Sequence, residues 1–69
     1  MNTATRTGTE ITVTIDGVSA SYASTRPTTH VAARLVDGTV YYTEHSSRAL
    51  AAKATQTRGG VVVEVTETA

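Results

Sequence analysis

Residues 10–22 read EITVTIDGVSASY, and this stretch decides the fold. Ile11, Val13 and Ile15 alternate with Thr12 and Thr14, the period-two pattern of a half-buried strand rich in β-branched side chains. Asp16-Gly17 follows, and a two-residue Asp-Gly loop selects the type I′ turn, which needs φ > 0 at both positions. That loop sets the register, so that Ile15 faces Val18, Val13 faces Ala20 and Ile11 faces Tyr22. Six apolar residues then share one face, while Thr12, Thr14, Ser19 and Ser21 share the other. A slip of one residue would turn the whole apolar set outward. Turn chemistry and hydrophobic pattern therefore support one another.

The same argument applies to residues 30–45, HVAARLVDGTVYYTEH, with Asp37-Gly38 at the turn. Leu35 faces Val40, Ala33 faces Tyr42 and Val31 faces Glu44 on the more apolar side, which is assigned to the core. On the opposite side Val36 faces Thr39, Arg34 faces Tyr41, Ala32 faces Thr43 and His30 faces His45. Residues 23–29 (ASTRPTT) form a loop in which Pro27 holds Arg26 extended. Ser46 and Ser47 are N-cap residues for an alanine-rich helix over 48–57. Its Leu50 and Ala54 share a face, with Ala51 beside them, and this face is expected against the sheet. A buried Leu50 would make Leu50→Ala cost about 2–4 kcal/mol. Arg58-Gly59-Gly60 ends the helix, because glycine adopts the left-handed cap conformation cheaply. Residues 61–66 (VVVEVT) read as a last strand with Val61, Val63 and Val65 on one face.

The expected architecture is α+β. It is a small, mainly antiparallel sheet of two Asp-Gly hairpins plus a C-terminal strand, with one helix on one face, in the order β-β-β-β-α-β. Residues 10–66 form a single domain, the threonine-rich residues 1–9 a disordered tail, and residues 67–69 a frayed end.

The chain has 69 residues, 39% hydrophobic and 17% charged, with no Cys, Trp or Phe. A domain of this size buries only about 60% of its unfolded surface, so disulfides, a metal or a partner commonly supplement the core. The absence of cysteine excludes disulfides and thiolate metal sites. Six Lys+Arg balance six Asp+Glu, which disfavours a dedicated nucleic-acid binder, since phosphate neutralisation supplies most of such affinity. No apolar run approaches the roughly 20 residues that span a bilayer, and residues 1–9 lack the apolar region of a secretory signal. A cytoplasmic location is expected, with a virion as the alternative.

No catalytic constellation, phosphate loop or metal motif occurs, so no enzymatic activity, cofactor or metal is expected. His30 and His45 face each other across the second hairpin with Cβ atoms about 5 Å apart, and a protonated pair would repel below about pH 6. Arg34 beside Tyr41 resembles the stacked platforms that bind proteins or single strands. The candidate partner-binding set is His30, Arg34, Tyr41, Thr43 and His45, with Arg26 in the loop.

Residues 25–50 (TRPTTHVAARLVDGTVYYTEHSSRAL) and 59–67 (GGVVVEVTE) resemble small accessory proteins of actinobacteria and their phages. The abundance of Ala, Thr, Val, Gly and Arg, with one lysine, matches a GC-rich coding background. The strand–Asp-Gly–strand–helix segment also resembles the arm-binding domain of phage-type integrases, whose sheet face reads DNA through Arg and Lys. Only Arg34 takes that place here. The resemblance implies a phage or mobile-element accessory role. The leading expectation is a non-enzymatic module that binds a host protein or copies of itself. A nucleic-acid-binding module and a capsid decoration component are the alternatives.

Overall fold

The computed structural model describes residues 2–68. Along the chain lie β1 (Thr3–Thr7), β2 (Glu10–Ile15), β3 (Val18–Ala23), β4 (His30–Val36), β5 (Thr39–His45), α1 (Arg48–Arg58) and β6 (Val61–Glu67). One helix accompanies one six-stranded sheet of order β3-β2-β1-β6-β4-β5. The sheet is mixed: β1 runs parallel to β6, and every other neighbouring pair is antiparallel.

Both Asp-Gly loops take the left-handed conformation at each position, with φ of 49° and 84° at Asp16 and Gly17 and 51° and 78° at Asp37 and Gly38. The hairpin registers follow from those turns. Ile15 pairs with Val18 and Ile11 with Tyr22, and Leu35 pairs with Val40 and His30 with His45.

The N-terminal segment corrects the expectation of a disordered tail. Thr3–Thr7 forms β1, which sits in the middle of the sheet between β2 and β6, and its Ala4 is 1% exposed. Threonine is β-branched and favours the pleated backbone. Gly8, at φ 62°, supplies the positive φ with which the Gly8-Thr9 loop joins Thr7 to Glu10. The signal was weak because the only apolar residue on the inward side of this strand is Ala4. At the other end β6 extends to Glu67, and Thr68 N–H donates to the Arg6 carbonyl at 2.8 Å, so the expected fraying from residue 67 is also corrected. Met1 and Ala69 lie outside the described residues. The element order is therefore β-β-β-β-β-α-β, one strand more than expected.

The sheet coils so that the β2–β3 half faces the β4–β5 half. Ile11, Val13 and Ile15 from one half meet Val31, Ala33 and Val40 from the other, with Ala4 and Val63 between them. Tyr22 and Tyr42 close the seam between the two terminal strands, stacked at 4.3 Å between centroids and 15° between planes. The apolar faces of the two hairpins thus cover each other, and the core needs no helix.

The helix lies elsewhere than the apolar pattern suggested. It packs on the outer face of β4, β5 and β6, where Ala51 is 0% exposed and Ala32 is buried. Two alanines let the helix approach the sheet closely. Leu50 is consequently 50% exposed, and its assignment to the core is corrected. Ser47 caps the helix, its Oγ accepting from Leu50 N–H at 3.2 Å. At the far end Gly59 N–H donates to the Thr55 carbonyl at 2.7 Å. Gly60 (φ 100°) follows, and a Cβ there would run into the Ala33 carbonyl oxygen.

Leu50→Ala is expected to lower stability by less than about 1 kcal/mol in urea unfolding, as for exposed positions. Ile11→Ala, at a fully buried site, should lose about 2–5 kcal/mol. A large loss at Leu50 would show that the helix buries a different face.

Candidate functional site

The outward residues of β4, β5 and β6 form rows under and beside the helix. His45 faces His30 and His30 faces Glu64; Thr43 faces Ala32 and Ala32 faces Val62; Tyr41 faces Arg34. The helix is expected on the core face; instead α1 crosses this outer face, where Ala32 and Ala51 allow a close approach, and the surface left open narrows to a cleft between α1 and β5.

The cleft is made of three adjoining depressions. Arg34, Tyr41, Thr43, Ala54 and Arg58 line the first. Thr43, His45, Leu50, Lys53 and Thr57 line the second. Arg26, Pro27, Glu44, His45 and Leu50 line the third. Shared residues join them: Thr43 and Arg58 at one junction, His45 and Leu50 at the other. Of the residues singled out from sequence, Arg34, Tyr41, Thr43, His45 and Arg26 come together here. His30 does not line the cleft; its side chain is only 13% exposed and lies next to Glu64.

Arg34 is doubly held. Its Nη1 donates to the Arg58 carbonyl at 2.7 Å, closing the helix C-terminus, and its guanidinium carbon lies 5.6 Å from the Tyr41 ring centroid. Such a stack fixes a long side chain at little further entropic cost. Tyr41 is 51% exposed. The helix residues Leu50, Lys53, Thr57 and Arg58 were missed as cleft residues, although Leu50, Ala54, Thr57 and Arg58 recur at the spacing of a single helix face.

Charge is unevenly distributed although it sums to zero. Four of the six Lys and Arg residues (Arg26, Arg34, Lys53 and Arg58) line the cleft, against one of the six acids, Glu44.

The two histidines face each other in register, yet each ring bonds to a hydroxyl nearby in sequence. His45 Nε2 lies 2.7 Å from Thr43 Oγ1, and His30 Nδ1 lies 2.9 Å from Thr29 Oγ1. Glu64 Oε2 lies 3.9 Å from His30 Nε2. Among the described residues no group of three His, Cys, Asp or Glu is placed to hold a metal ion.

Behind the cleft a polar cluster closes the end of the core. Arg6 reaches across it, Nη1 donating to the Arg26 carbonyl at 2.8 Å and Nη2 to the Ser24 carbonyl at 2.6 Å. These bonds lash the loop between β3 and β4 over the sheet. Glu44 accepts from Thr28 Oγ1 at 2.8 Å. Burial pushes the Glu44 carboxyl up, but the hydroxyls of Ser24 and Thr28 and the charge of Arg26 outweigh it, leaving it below the usual carboxylate range. Tyr22 Oη is buried near the Glu44 carboxylate, although no atom among the described residues meets strict hydrogen-bond geometry with it. Burial first, and then the nearby Glu44 charge, push the Tyr22 hydroxyl well above its ordinary value. The sequence carried one hint of this cluster: Glu44 occupies an inward position opposite Val31.

Two pH effects follow. The Glu44 contribution is complete above the ordinary carboxylate range and is lost as pH falls through its depressed folded value. Melting temperature should therefore drop as pH falls below the ordinary carboxylate range, and drop less in Glu44→Gln. The Tyr22 contribution is complete below about pH 10 and is lost as pH rises toward its raised folded value. Tyr22→Phe removes a hydroxyl without an ideally placed partner, so neutral-pH stability should change by less than about 1 kcal/mol, with a smaller alkaline loss. A clear loss of stability in Tyr22→Phe would mean that the hydroxyl has a partner.

Comparison with family models, curated proteins and solved structures gives no match to this chain. What defines it is its own geometry: a small α+β fold with one helix on a six-stranded mixed sheet. No helix among the described residues is long and apolar enough to cross a membrane.

Proposed function

We infer that the chain is a non-enzymatic protein-interaction module working through the α1–β5 cleft. The supporting observation is the placement of Leu50 and Tyr41, each half exposed, in adjoining depressions of one cleft. Scattered surface apolar residues are ordinary, but a leucine and a tyrosine sharing a cleft have the anatomy of an interface: an apolar centre, a polar rim and an arginine held in place. Arg34, Tyr41, Thr43, His45 and Arg26 supply contacts, joined by Leu50, Lys53 and Arg58. In the accessory role that the actinobacterial and phage resemblance implies, the partner is a host protein or a second copy of the chain.

A second reading is favoured by one observation, the gathering of cations around Tyr41, which also suits a nucleic acid. The two are separated by placing a photoreactive amino acid at Leu50, in the cleft, and at Ser19, on the far hairpin. Irradiation in host lysate should yield a protein adduct from Leu50 and none from Ser19, and light scattering identifies the case in which the adduct is a second copy. Equal capture at both positions, or an adduct from Leu50 that nuclease removes, overturns the protein-binding reading.

A further inference from the structure

The geometry points to an extended acidic peptide, with apolar residues between its carboxylates, as the occupant of the α1–β5 cleft; this occupant presupposes the protein-interaction role inferred above. The rim of the cleft carries Lys53 and Arg58 from the helix, Arg34 from β4 and Arg26 from the crossing loop. Arg34, Lys53 and Arg58 make no side-chain ion contact, since the one such contact among the described residues joins His30 to Glu64, whereas Arg26 lies near enough to Glu44 for its charge to be felt there. The single acid of the lining, Glu44, is already held by Thr28. Unpaired cations of one sign around a concave surface favour a partner of the opposite sign.

Between the cations the lining includes apolar residues beside Thr43 and His45. Ala54, Leu50 and Pro27 succeed one another along the cleft, so a partner that alternates carboxylates with apolar side chains matches both features. The strand side runs from Tyr41 to His45, roughly 13 Å at about 3.3 Å per residue, which is the span of about five extended residues. Arg34 spends one nitrogen on the Arg58 carbonyl, and its remaining donors form a planar fork suited to a carboxylate.

A single-stranded nucleic acid fits less well. Such strands are held by successive aromatic rings on which consecutive bases stack. Tyr41 is half exposed but already has Arg34 over it, and the other lining tyrosine, Tyr42, is stacked on Tyr22. Leu50, at the junction of two depressions, has no counterpart in a phosphate-tracking groove.

The test uses the whole chain and three fluorescein-labelled probes: a short peptide of alternating Glu and Leu, the same peptide with Gln for every Glu, and oligothymidylate of matching length. Anisotropy at about 0.15 M salt should show binding of the acidic peptide, at least about tenfold weaker binding of the Gln peptide, and weaker binding still of the oligonucleotide. Lys53→Glu with Arg58→Glu should weaken the acidic peptide by at least about tenfold while circular dichroism stays unchanged. Should the reversals disturb folding, Lys53→Gln with Arg58→Gln serves in their place and should still weaken binding. Amide shifts on titration should cluster at Thr43, His45, Leu50 and Ala54. Equal binding of the Glu and Gln peptides overturns the inference, as does tighter binding of oligothymidylate or binding of no probe. In the last case the Leu50 cross-link still reports independently on protein binding, so failure of the acidic occupant is distinguishable from failure of the interaction role.

Discussion

The parallel pairing of β1 with β6 is the constraint on which the rest of the structure depends. Ala4 meets Val65, Thr5 meets Thr66 and Arg6 meets Glu67, joining segments from opposite ends of the chain. On one side of this seam lies the meander β1–β3, and on the other lie β4, β5 and β6 with the helix. Neither half owns a complete core. Once β1 and β6 are paired, the sheet coils, and the apolar face of each hairpin becomes the cover of the other. Sparse apolar content then suffices, because one buried layer is lined from both sides. The connection is non-local, and closing so long a loop costs entropy before the core repays it.

Freeing the core from the helix has consequences for the surface. Because the two halves of the sheet cover each other, α1 is displaced to the outer face, where Ala51 and Ala32 set a close approach. That close contact leaves Leu50 beside the sheet rather than between layers, and the gap along β5 becomes a cleft. The same displacement carries Lys53 and Arg58 toward Arg34, so a chain with no net charge presents a cationic margin. A sum over charges is blind to such segregation, which arises because five of the six acids lie elsewhere, among them Asp16 and Asp37 at the hairpin tips.

Local chemistry was legible where it was self-sufficient. Asp-Gly loops impose a turn type and hence a register, so the facing pairs from Ile15/Val18 to His30/His45 could be read residue by residue. The cap residue Ser47 and the terminating Gly59 are equally local. Thr3–Thr7 was illegible as a strand because its burial rests on one alanine, with the remaining support supplied by neighbours distant in sequence. Leu50 misled for the converse reason: its hydrophobicity is a property of the residue, whereas its burial depends on which face of the sheet the helix reaches. The site was half legible. Arg34, Tyr41, Thr43 and His45 share a face by strand alternation alone, but their meeting with Lys53, Arg58 and Arg26 required the helix and the crossing loop to be placed.

Alternation and turn chemistry, acting within a few residues, thus determined from the sequence alone that two type I′ hairpins, a capped helix and a valine strand would form, and which side chains each hairpin would turn inward. Only the tertiary structure decided that a threonine-rich end would become a central strand, that the hairpins would cover each other and that the helix would lie outside with its leucine exposed. Those outcomes depend on contacts between segments far apart in the chain, where small differences in packing volume, alanine against leucine, select among arrangements that share the same local pattern.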